Sequence, residues 1–241
     1  MWVYERQPNA AQGRTSKPGI SVVFRRPLRD RRRVLAYVLR RSFSNDAWHT
    51  LHGVASTLWV LLLIAQSLLI GRHNRRLHET LGWSSVGLVA FLLITSAYMV
   101  WIELVGEEPF PTALRLKLVF LDVALLTLFV AAYAMGLINR RRPAIHARLM
   151  GSTLLVGLGP ALGRLYAQQI PAVDGLAGAI PWMFWTIEAI LVAAIAMDVA
   201  RGKVHWPFPA MLAAFVLVQI GMNWASGPTF AAVARSAGAP I

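Results

Sequence analysis

The chain has 241 residues, 56% of them hydrophobic, with a mean hydropathy of +0.53 and a formal net charge of +13. A water-soluble domain of this length is rarely so apolar, and the lack of cysteine excludes disulfides, thiolate metal sites and iron–sulfur clusters. The charge does not argue for nucleic acid, because no stacking platform or recognition-helix pattern accompanies it; basic loops against anionic lipid explain it better.

Residues 1–30 contain Pro8, Gly13, Pro18, Gly19 and Pro27 and read as a disordered tail, without the apolar core of a secretory signal. From Arg25 to Arg41 the chain is strongly basic. Val34, Leu35, Val38 and Leu39 form one apolar face there, flanked by Arg31, Arg32, Arg33, Arg40 and Arg41. That pattern predicts a short helix lying on anionic lipid headgroups, too short to cross. Residues 1–47 are thus a basic arm, 48–226 the bundle and 227–241 a tail.

Six apolar blocks follow, each near the ~20 residues that cross ~30 Å of hydrocarbon. They run from His52 to Ile70, Trp83 to Leu104, Leu114 to Ile138, Ala147 to Gln168, Pro181 to Ala200 and Pro207 to Trp224. Backbone groups in lipid must pair internally, so each block is a helix. The expected fold is an all-α, polytopic transmembrane helical bundle of about six spans. Pro181 and Pro207 fall at helix starts, where proline is tolerated. Pro160, with Gly157, Gly159 and Gly163 around it, should kink the fourth span and admit a close neighbour. Trp59, Trp83, Trp101, Trp182, Trp185, Trp206 and Trp224 read as an aromatic belt near span ends.

The loops divide by charge. On the side where the first span ends lie Arg72, Arg75, Arg76, Arg140, Arg141, Arg142, Arg148, Arg201 and Lys203. Opposite them lie Glu103, Glu107 and Glu108, partly offset by Arg115 and Lys117, and later only Asp174. The positive-inside rule puts the basic side in the cytoplasm, as for a bacterial cytoplasmic membrane protein. The Arg25–Arg41 arm, one crossing away, falls on the other side and conflicts with that assignment.

Ionisable groups at membrane depth are costly and usually face the bundle interior. Toward the acidic side stand Asp122, Arg164 and Glu188, with His49 and His52 on one helical face and Asn223 at the same level. Arg164 between two carboxylates reads as a structural lock on the third, fourth and fifth helices, or as a proton or substrate path. Gln66 and Gln219 read as interhelical hydrogen-bond donors. Toward the basic side, His78, His146 and His205 precede spans two, four and six, with Asp198 one turn inside the fifth. Two imidazoles from separate helices can hold haem iron; three with a carboxylate can hold a transition metal; each can equally be an interfacial residue on headgroup phosphate. Asp198 would orient an imidazole, and Arg76 and Arg148 would meet haem propionates. His73 lies in a polar loop. No catalytic serine, phosphate loop, HExxH or paired-aspartate motif is present, so catalytic residues are not assigned.

Several local patterns carry a resemblance. Leu51-His52-Gly53 followed by Trp59 and Gln66, Leu77-His78-x-x-Leu81-Gly82, Arg142-Pro143-x-x-His146-x-Arg148-Leu149-Met150 with Pro160 and Arg164, and Asp198-x-x-x-Gly202-x-Val204-His205 occur in this order. Together they resemble a group of poorly characterised bacterial multi-pass membrane proteins, from about Trp48 to Trp224. The resemblance implies a small bundle with histidines at helix ends, similar to membrane b-type cytochromes, and no established reaction. The chain departs from that pattern in two places. Glu79 replaces a residue that is usually basic, and the arginine-rich stretch ending at Arg41 stands where relatives carry a further apolar helix.

The functional expectation is a haem b- or metal-binding electron-transfer protein on His78, His146 and His205. The alternatives are a non-enzymatic accessory subunit docking on a larger membrane complex, and a proton-coupled transporter working through Asp122, Arg164 and Glu188. The latter is disfavoured by the lack of an internal repeat.

Overall fold

The structure is a computed structural model describing residues 47–105, 111–225 and 227–238. The basic arm and its interfacial helix lie outside the described residues. Those residues form seven helices and no strand: α1 Ala47–Gly71, α2 Arg75–Val105, α3 Thr112–Ile138, α4 Pro143–Gln169, α5 Gly175–Ala200, α6 Pro207–Ala225 and the short α7 Pro228–Ser236.

Each of the six apolar blocks lies within one of the six long helices. The helices are longer than the blocks because hydropathy reads the hydrocarbon thickness, whereas a helix continues into the headgroup layer. Pro181 is a consequence: α5 starts at Gly175, so this proline lies inside the helix, not at its start. The segment 227–241, read as a tail, contains α7. Trp59 also departs from the belt. It is 4% exposed and packs edge-on against Phe129 and Tyr133, each with ring centroids 5.6 Å away.

Five helices, α1, α2, α3, α5 and α6, are each long and apolar enough to cross a membrane. The 27-residue α4, interrupted by His146, Arg148, Ser152, Thr153, Pro160 and Arg164, is not among them. Its position explains how it is accommodated. It packs against α1, α3, α5 and α6, which buries Ser152 and Thr153 and partly covers His146 and Arg148, while Arg164 near its far end is exposed. The connections to α3 and α5 are only four and five residues long, so α4 itself must carry the chain back across about 40 Å. Its small residues set that packing. A Cβ at Gly159 would touch Leu125 of α3 and Met183 of α5, both at 3.4 Å. The rest of the core is apolar and continuous, from Trp59 and Phe129 through Phe184, Ile187 and Leu191 to Phe215.

Two helix ends use left-handed residues. After α5, Gly202 (φ 62°) donates to Val199 O and Lys203 to Asp198 O, at 2.9 and 3.0 Å, closing the helix by a Schellman turn. After α1 the same turn is built on His73 (φ 55°), with His73 donating to Ile70 O and Asn74 to Leu69 O. His73 is exposed, and a side chain in this left-handed conformation adds strain that glycine would not. His73→Gly should therefore raise stability by about 1 kcal/mol, measured by thermal unfolding in detergent.

At the other side of the bundle, α7 is held by an aromatic trio. Phe230 packs on Phe120 and Trp224 with centroids at 5.9 and 5.4 Å. Gly221 of α6 leaves room for Phe120, since a Cβ there would stand 2.7 Å from its Cζ. Gly221→Ala should displace that ring, cost about 1–3 kcal/mol, and expose residues 228–236 to limited proteolysis.

Candidate functional site

Both central histidines owe their level to the way their helices begin. Asn74 caps α2, its Oδ1 accepting the Leu77 amide at 3.2 Å, and Pro143 opens α4 at the first helical position. His78 and His146 are each the fourth residue of their helix. Their rings meet across the bundle with centroids 6.3 Å apart and planes at 81°.

The two rings differ in their other contacts. His146 Nδ1 lies 2.9 Å from the Gly136 carbonyl near the end of α3. A carbonyl only accepts, so Nδ1 carries the proton and, in the neutral ring, Nε2 keeps its lone pair. Such a bond to a backbone carbonyl commonly fixes a metal-bound imidazole. The Gly136 position allows it, because a Cβ there would lie 2.5 Å from the Met150 methyl of α4. His78 is half-buried, and its Nδ1 is buried with no protein hydrogen-bond partner.

His205 and Asp198 form a separate arrangement. Arg148 Nε donates to Asp198 Oδ2 at 2.7 Å, and its Nη2 donates to Oδ1, a two-pronged pair joining α4 to the end of α5. The same guanidinium donates to Ala144 O and stands 5.7 Å from the Phe208 ring of α6. Asp198 is 4% exposed and also interacts electrostatically with His205, which the Gly202 turn brings back to it. Among the described residues, no three of His, Cys, Asp or Glu gather closely enough to hold a metal ion. The expected set of His78, His146, His205 and Asp198 is thus two pairs: His78 with His146, and Asp198 with Arg148. Arg76 is exposed at the start of α2.

The acidic-side residues assemble differently from the expected lock. Asp122 hydrogen-bonds Glu103 of α2 and interacts electrostatically with Arg164. Glu188 Oε1 is buried without a hydrogen-bond partner, so Glu188 does not complete an ion pair through that oxygen. His52 Nδ1 lies 3.1 Å from Thr95 Oγ1 and 3.4 Å from Ser96 Oγ, and its Nε2 lies 3.4 Å from Ser56 Oγ. It interacts electrostatically with Arg164 and His49. Asn223 is exposed at the end of α6.

Sequence reasoning read Glu103 only as a loop charge and missed Gly136, Tyr133 and Ser85. The last two share a 2.9 Å hydroxyl hydrogen bond between α2 and α3. One signal was available: His52, Trp59 and Gln66 recur every seven residues, as do His78 and Ser85, which puts each set on one helical face. No family model, curated protein or solved structure matches the chain.

Proposed function

We propose that the chain is a haem protein of the bacterial cytoplasmic membrane, in which His78 and His146 take the iron between them for electron transfer. The observation that carries this reading is the approach of two imidazoles from separate helices at one depth. Two imidazoles sharing one iron through bonds of about 2.0 Å would stand with their centroids up to about 6 Å apart, and the 6.3 Å spacing of His78 and His146 is close to that. The fixed His146 Nδ1 leaves Nε2 as a ligand, and His78 Nδ1 has no protein hydrogen-bond partner.

Two protein ligands suit haem, whose porphyrin supplies the other four nitrogens, better than a lone transition ion, which asks for more. Bound there, haem supplies a one-electron couple. Arg76, two residues before His78, is the cation assigned to a propionate; Arg148, already held by Asp198, is assigned to packing. Basic loops on the same side place the pair toward the cytoplasm. A redox partner or larger membrane complex would meet it there, and Arg25–Arg41 would bind anionic lipid. The test is the absorption spectrum of protein purified in detergent from haem-replete cells. A Soret band with bis-histidine features is expected. A colourless preparation ends this reading, and co-purification with a larger complex would then favour an accessory subunit.

A further inference from the structure

We infer that a file of bound water runs inside the bundle from the His78–His146 pair to the indole of Trp59, giving the imidazoles a proton route to mid-membrane. The evidence is a ladder of polar groups on the facing sides of α1, α2 and α3. Its top rung is the imidazole pair. Next is Gln66 of α1, whose Nε2 lies over Gly82 of α2, 3.7 Å from where a Cβ would stand. Gly82 is one turn beyond His78 and one turn before Ser85. Ser85 is bonded to Tyr133 OH, and the Tyr133 ring touches Trp59.

Three of these four levels hold an orphaned buried atom: His78 Nδ1, Gln66 Oε1 and Trp59 Nε1. Trp59 is more than nine-tenths buried, so lipid-side water does not reach it. Orphaned donors and acceptors in a membrane interior are expensive. Rungs one helical turn apart are about 5.4 Å apart, and one water spans about 5.6 Å with two hydrogen bonds. The donor and acceptor types also alternate usefully. The indole only donates and the Gln66 oxygen only accepts; Ser85 donates to Gly82 O and accepts from the Tyr133 hydroxyl, which leaves lone pairs on both hydroxyls to accept from water, so a water at each gap finds two or more partners. Beyond Trp59, Val89, Leu92 and Leu125 are buried and apolar, which ends the file near mid-membrane. The inference concerns side chains alone and does not rest on iron between the imidazoles.

The test is NMR of the full chain with 15N-labelled tryptophan in nanodiscs, the Trp59 indole signal being assigned by its loss in Trp59→Phe. A cross-peak to water, and exchange into D2O within minutes, are expected despite its burial. Gln66→Leu, which keeps the side-chain size and removes the central acceptor, should slow that exchange at least tenfold. An indole proton protected for a day with no water cross-peak means that it sits dry over the Phe129 or Tyr133 ring, and overturns the inference. Unchanged exchange in Gln66→Leu also overturns it, since water would then arrive by another way.

Discussion

If His78 and His146 hold a haem as proposed, His78→Ala and His146→Ala should each abolish the Soret band of the purified protein, while His205→Ala and His52→Ala should retain it. Haem content in the first two should fall on the order of tenfold or more, measured as pyridine haemochrome per polypeptide. The contrast follows from geometry. Only His78 and His146 face one another, whereas His205 interacts with Asp198 and His52 bonds hydroxyls of α1 and α2. With one of the two imidazoles gone, the remaining one would hold a haem less firmly, so any residual pigment should be easily lost. The helices themselves should survive, because His78 is half-buried at a helix start and makes no hydrogen bond through Nδ1. Retention of the full band in both variants would sink the proposal. Loss in His205→Ala with retention in His78→Ala would move the site to the C-terminal end of α5, beside Asp198.

The second large effect is on stability. Arg148→Met and Asp198→Leu should each lower the Tm in detergent by on the order of 10 °C, and the double variant should lie above both. Each single change strands one charge between α4 and α5 in a low-dielectric setting; removing both strands none. Arg148→Lys should not restore the wild-type Tm, because an ammonium cannot reproduce the two-pronged contact and stacks less well on Phe208. Haem content in the variants separates two roles. A packing role predicts that the folded fraction of Asp198→Leu keeps its haem. Loss of haem at unchanged Tm would instead show that Asp198 acts through an imidazole.

Much of the fold was legible because lipid imposes a one-dimensional code. Blocks such as Leu114 to Ile138 must be long, apolar and helical, and each corresponds to a helix. Hydropathy begins the second and fourth spans at Trp83 and Ala147; the structure starts those helices earlier, with Asn74 and Pro143 at their openings, which sets the shared depth of His78 and His146. Where the reading slipped, the cause was local. Pro181 looks like a start residue, but the helix is determined by the residues before it, which are small and helix-compatible. Trp59 looks like a belt residue, but its neighbours on α3 are aromatic and enclose it.

Chain order and hydropathy by themselves determined the class of the protein, its six long helices, and the depth of each polar residue, because depth is a count of residues along a helix axis. Which polar residues meet was decided only by tertiary packing. Whether His146 turns to His78, whether Arg148 takes Asp198, and whether Asp122 pairs with Glu103 depend on the rotation and neighbours of each helix. Apolar residues surround most of each helix, so hydropathy periodicity leaves that rotation open; the close approach of α4 to α3 and α5 at Gly159, and to the Gly136 carbonyl, fixes it for α4.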